Sequence, residues 1–133
     1  MIERVYEASD ELLYDVLGFV EEELEKLDCP MKVVMQITVC VEEIFVNIAH
    51  YAYEGKTGSM KLAVIPEEDG VRMIFSDCGT PFDPLAREDP DITLSAEERD
   101  AGGLGIYMVK QTMDEVSYRY EDGQNIFTIK KCF

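Results

Sequence analysis

Apolar positions recur along this chain in two different periods, and the switch between them marks out its elements. Ile2 to Glu7 alternates, with Ile2, Arg4 and Tyr6 against Glu3, Val5 and Glu7, so a short strand is expected. Leu12, Leu13, Val16, Phe19, Val20, Leu24 and Leu27 then recur at helical spacing as far as Asp28. Ser9 can cap that helix, and Asp10 and Glu11 fall in the first turn, where the helix dipole favours negative charge. Pro30 restarts the chain, and Met31 to Tyr53 reads as one long central helix. Met60 to Ile65 and Val71 to Ser76 read as strands of a hairpin, linked by the polar run Pro66 to Gly70. Asp77 to Gly103 is rich in Pro, Asp and Gly and too long for an ordinary connection, which points to a lid or binding loop. Leu104 to Met113 should be helical, and Glu115 to Tyr120 and Asn125 to Lys131 should close the chain as a second hairpin.

That order is strand, two helices, two strands, a lid, a helix and two strands. Strands gathered in hairpins with helices between them predict an α+β fold, a two-layer sandwich with the helices on one face of a mainly antiparallel sheet. A doubly wound parallel sheet fits poorly, because regular βαβ alternation is missing. With 133 residues, 47% of them hydrophobic, one domain over residues 1–133 has enough apolar surface for a core.

Composition narrows the function classes. The formal net charge is −16, from 28 acidic against 12 basic side chains, so a nucleic-acid backbone would be repelled and a basic partner surface favoured. An anionic ligand would have to be met by backbone amides and a bound cation. Cys29, Cys40, Cys78 and Cys132 contain no C-x-x-C pair, and reduced thiols are the default reading. With neither a signal peptide nor a membrane-length apolar run to be seen, a soluble cytoplasmic protein without a membrane partner is expected.

The central helix carries the first candidate chemistry. At about 100° per residue, Val41, Ile44, Phe45 and Ile48 share one face, with Val39, Val46, Ala49 and Tyr53 widening it. Only Gln36, Glu43, Asn47 and His50 leave a narrow polar stripe, and no basic residue lies between Val33 and Tyr53. A carboxylate placed near a phosphate can take a proton from an attacking hydroxyl, and Asn47 offers a neutral oxygen to a hard cation such as Mg²⁺. A plain solvated face is the competing reading. The second candidate is Asp77-Cys78-Gly79 at the end of a strand: an aspartate there can accept from an exocyclic amine while Gly79 lets the backbone approach a flat ring. An ordinary turn would use the same residues. The third is Gly102-Gly103-Leu104-Gly105, opening a helix whose free amides and dipole suit a phosphate. It lacks the Gly-Lys-Ser/Thr of a P-loop, and a hinge at the end of the lid is its plain alternative.

Taken in this order, the three motifs resemble those of the GHKL ATPase superfamily: Glu43-x-x-x-Asn47 its N box, Asp77-x-Gly79 its adenine-contacting box, and Gly102-Gly103-Leu104-Gly105 its second glycine box. Within it, Glu42-Glu43, Asn47, Ala52-Tyr53, Pro81-Phe82-Asp83-Pro84 and Met113-Asp114-Glu115-Val116 look like the bacterial anti-sigma-factor serine kinases. The resemblance covers essentially the whole chain. It implies the GHKL sandwich, with Glu43 as general base toward a serine or threonine hydroxyl and Asn47 holding Mg²⁺ on the ATP phosphates. It further implies Asp77 and Gly79 at adenine, and Gly102, Gly103, Leu104 and Gly105 at the phosphates, with a lid over about Thr80 to Ala101. Arg99, just before the glycines, could touch phosphate or partner, or be a surface charge. The family often has a histidine four residues after the asparagine; here that place is Tyr51, and His50, one earlier, is expected to pack or support. The partners implied are a sigma factor and an anti-anti-sigma (STAS-type) protein, and a homodimer. A nucleotide-gated binding module with little phosphotransfer is the alternative, and a cycling ATPase a third.

Overall fold

The computed structural model describes residues 1–86 and 103–133. Five strands, Ile2–Glu7 (β1), Ser59–Glu67 (β2), Gly70–Asp77 (β3), Glu115–Glu121 (β4) and Gln124–Cys132 (β5), form one sheet in the order β1-β2-β3-β5-β4. Every neighbouring pair is antiparallel. The helices are Leu13–Lys26 (α1), Met31–Tyr51 (α2) and Gly103–Thr112 (α3).

The strand period of two puts Met60, Leu62 and Val64 of β2, Met73 and Phe75 of β3, and Phe127 and Ile129 of β5 on one face. Register carries the row across the sheet, with Leu62 opposite Phe75 and Phe75 opposite Phe127. These side chains share one core with Val16, Phe19, Val20 and Leu24 of α1, with Ile37, Cys40, Val41, Ile44 and Phe45 of α2, and with Val109 of α3. The expected two-layer α+β sandwich is therefore present, with the helices against one face. The other face carries Arg72 and Lys130, paired with Glu67, Asp69 and Glu115.

Element ends depart from the period-based reading for local reasons. A 3-10 turn, Asp10–Leu12, precedes α1, and Ser9 caps that turn by accepting from Glu11 N at 3.4 Å. The helix then stops at Lys26 rather than Asp28, whose φ of 55° is left-handed. Similarly, α2 stops at Tyr51, and the chain turns through Glu54 and Gly55 with positive φ. The first hairpin is tighter than expected, because β2 runs through Pro66 to Glu67. Proline is tolerated there because β1 pairs no further along β2 than Val64, leaving an open side that needs no N–H. In the second hairpin Asp122 (φ 52°) and Gly123 (φ 76°) form a two-residue turn whose left-handed pair matches the strand twist. The four cysteines are free.

One composition-based reading needs correction. By length and mean hydropathy (1.4), α2 is long and apolar enough to cross a membrane. Helices that supply a core pass the same test, and here Ile37, Cys40, Val41, Ile44 and Phe45 are spent inside the sandwich.

Because Phe45 is fully buried where α2 meets the sheet, Phe45→Ala should lower the unfolding free energy by about 3–5 kcal/mol, seen as a fall in the denaturant midpoint. On the outer face, hydrogen bonds from Arg72 and then Lys130 hold the Glu67 carboxyl below its ordinary 4.5, and Lys130 holds Asp69 below 3.8. A depressed folded-state pKa stabilises fully above the unfolded value and is lost as pH falls through the folded one. Melting temperature should therefore decline as pH drops below about 4.5, and Lys130→Gln should make that decline shallower.

Candidate functional site

The polar stripe of α2 divides among four surroundings. Asn47, half-buried, lines a cavity whose other walls include Ile44, Ile48 and Ala52 of the same region, Asp77, Thr80, Phe82, Ile106, Asn125 and Phe127. Glu43, one turn earlier and exposed, faces the first turn of α3, where a Cβ built on Gly105 would lie 2.2 Å from Glu43 Oε2. Gly105 thus has a steric task, giving the Glu43 carboxylate room against the helix start. His50 leaves the stripe altogether: its Nε2 sits 2.7 and 3.0 Å from the two Asp10 carboxylate oxygens and ties the end of α2 to the turn before α1. Gln36 lines a separate groove with Met35, Val39, Cys40, Met108 and Thr112.

Asp77 ends β3 on the inner face, in register with Met60 on one side and Asn125 on the other. It is 5% exposed, so its carboxylate has left water and needs donors. Oδ1 accepts from Gly79 N and from Asn125 Nδ2, each at 2.9 Å. Both bonds end on the same oxygen, and among the described residues no donor reaches Oδ2. Gly79 is forced by contact rather than by φ, since a Cβ there would sit 2.2 Å from Ala52 O. Thr80 N donates to that same carbonyl at 2.8 Å, so the strand end is laced to the end of α2. Tyr53, outside the helix contrary to expectation, accepts from Cys78 N at 2.9 Å and donates to Ser59 O. Burial pushes its phenol above the usual value, which keeps the proton it donates.

Asn125 was invisible to motif reading. It is 7% exposed and donates to Asp77 Oδ1 and to Thr80 O at 3.0 Å, while accepting from Phe82 N at 3.2 Å and from the Tyr118 hydroxyl. Its signal in the sequence is a polar residue at an inner-face position, two before Phe127 and four before Ile129. Of the glycine motif, Gly103 opens α3, Leu104 is half exposed and Gly105 meets Glu43. Gly102, Arg99 and most of the expected lid lie outside the described residues.

The arrangement offers a buried carboxylate and a half-buried amide on the wall of an apolar cavity, and, one turn along α2 from Asn47, an exposed carboxylate beside the start of α3. Apolar walls from Ile44, Ile48 and Phe127 suit a flat ring, and the start of α3 suits an anion. Among the described residues no group of three His, Cys, Asp or Glu side chains could hold a metal by itself. A cation beside Asn47 would therefore share the oxygens of an anionic ligand, as Mg²⁺ does.

The histidine kinase-like ATPase domain matches this sequence over residues 6–131, and the chain belongs to that family. The serine-protein kinase RsbW of Listeria monocytogenes is 28% identical over 99 residues, covering 71% of this chain and 63% of the relative. The serine/threonine-protein kinase BtrW of Bordetella bronchiseptica is 27% identical over 94 residues (70% and 66%), and RsbW of Bacillus pumilus 29% over 121 residues (86% and 68%). The chain thus spans about two thirds of the length of these curated relatives. A crystal structure of the RsbU and RsbW domains of a Mycobacterium tuberculosis protein superposes with a TM-score of 0.64 at 14% identity, over 99% of this chain and 32% of that one, which shows that the two share a fold.

Two glycine substitutions should separate structure from chemistry. Gly79→Ala drives a Cβ into the fixed Ala52 carbonyl and should cost about 1–3 kcal/mol of stability as well as ligand binding. Gly105→Ala meets only the flexible end of Glu43, so thermal stability should hold or rise by about 0.5–1 kcal/mol. Any reaction that needs the Glu43 carboxylate in place should nevertheless slow.

Proposed function

We propose that this chain binds Mg-ATP in the cavity and transfers its terminal phosphoryl group to a serine or threonine hydroxyl of another protein. The observation that carries the reading is the division of the site. Asp77 is buried on the cavity wall, fit to receive an adenine amine, while Glu43, one turn of α2 before the cavity-lining Asn47, is exposed beside the start of α3, where a protein hydroxyl can reach it. In this reading Asp77 and Gly79 hold the base, and Asn47 together with ATP oxygens holds Mg²⁺, which neutralises phosphate charge when bound. Gly102, Gly103, Leu104 and Gly105 present amides to the phosphates, with Arg99 in reach of phosphate or partner. Glu43 takes the proton of the hydroxyl as its oxygen bonds to the γ-phosphorus and the bond to the β–γ bridging oxygen breaks, leaving ADP.

Similarity to serine-protein kinases RsbW and BtrW supports this chemistry. It further supports an anti-sigma role in the cytoplasm, with a sigma factor and an anti-anti-sigma (STAS-type) protein as partners, residues 1–133 acting as one kinase domain, and a homodimer as the working form.

Calorimetry with Mg-ATP should give a saturable heat, and label from γ-phosphate should move to a serine of an anti-anti-sigma-type protein. Glu43→Ala should keep nucleotide binding and lose transfer by about 10²-fold or more. Transfer that persists in this variant would remove the base assignment. Saturable binding without any transfer by the wild type would favour the nucleotide-gated binding module, in which ATP orders the lid and sets partner affinity. Absence of heat would remove both readings.

A further inference from the structure

We propose that Asn125 is a positioning residue that sets the base preference of the cavity by holding the Asp77 carboxylate so that one oxygen alone is left for the bound ring. The inference rests on the nucleotide reading above and deepens it. An asparagine amide can lie either way round, but here its surroundings decide. Phe82 N (3.2 Å) and the Tyr118 hydroxyl both donate to its Oδ1, which leaves Nδ2 toward Asp77 Oδ1 (2.9 Å) and Thr80 O (3.0 Å). Turned over, the NH₂ would face two donors and the carbonyl would face a carboxylate.

Locked this way, Asn125 and Gly79 N together occupy Asp77 Oδ1. The carboxylate cannot swing about its Cβ–Cγ bond without breaking both bonds. Asp77 is only 5% exposed and lines the cavity, and its Oδ2, as a carboxylate oxygen, can only accept. A 6-aminopurine offers a donor at that edge. A 6-oxopurine would set a carbonyl against it, leaving both acceptors buried and unpaired, the arrangement that discriminates most sharply between close analogues. Asn125 also holds Thr80 O and Phe82 N, three and five residues beyond the end of β3, so the same side chain fixes the path of the chain there.

Calorimetric affinities for ATP and for inosine triphosphate, measured with Mg²⁺ on the full chain, test this through their ratio. The wild type should prefer ATP by at least about 100-fold. In Asn125→Ala that ratio should fall tenfold or more, with ATP losing more affinity than inosine triphosphate. Tyr118→Phe removes only the hydroxyl that fixes the amide and should give an intermediate ratio while keeping the fold. A merely structural role for Asn125 would weaken both nucleotides by the same factor; an unchanged ratio in Asn125→Ala, or in Tyr118→Phe should the alanine variant not fold, overturns the inference and leaves the nucleotide reading standing. Equal wild-type affinity for the two nucleotides also overturns it. Failure of the wild type to bind either one overturns the nucleotide reading itself, and this inference with it.

Discussion

The end of α2 and the end of β3 meet backbone to backbone, and the position of every group in the site follows from that contact. Thr80 N donates to Ala52 O at 2.8 Å, and Gly79 passes so close to the same carbonyl that no side chain fits between. What drives the two ends together is the burial of Ile37, Val41, Ile44 and Phe45 against Leu62, Met73, Phe75 and Phe127. With that face committed to the sheet, helical geometry leaves Asn47 looking into the cavity and Glu43 looking toward α3. The stripe is left free of the core because its opposite face is taken up by the sheet.

Charge is distributed to match. In a chain of net charge −16, Arg72 and Lys130 pair with acidic neighbours on the sheet face opposite the helices. The buried carboxylate of the cavity is held instead by neutral donors, Gly79 N and Asn125 Nδ2. That choice keeps Asp77 an acceptor with one oxygen to spare, where an arginine would have taken both in a bidentate pair. It also leaves an anionic ligand to be met by backbone amides at the start of α3 and by whatever cation it brings, an arrangement suited to a metal-bound triphosphate.

Several interactions join elements that the chain keeps far apart. His50 reaches back to Asp10, Tyr53 bridges Ser59 and Cys78, and Asn125 spans Asp77, Thr80 and Phe82. Each is a polar side chain that would look ordinary in a list of residue types. Tyr53 and Asn125 hold the residues that follow β3 against the end of α2 and the start of β5, while the His50–Asp10 pair ties the end of α2 to the turn before α1.

Much was legible beforehand because it is local. The periods of two and of about 3.6 residues marked all the strands and helices that the structure describes, and the lone polar stripe pointed at Glu43 and Asn47. Hairpin clustering of strands implied the α+β sandwich. Local pattern carries no information on how one element's backbone approaches another's, so the steric reason for Gly79 and Gly105 had to wait for the fold. Nor could it show that β3 and β5 pair with Asp77 opposite Asn125, since register is set by the whole packed face and not by either strand alone. Residue types and their spacing were enough to pick out the candidate site residues; which neighbours orient them follows from packing, because those neighbours lie tens of residues away and are brought together only by the shared core.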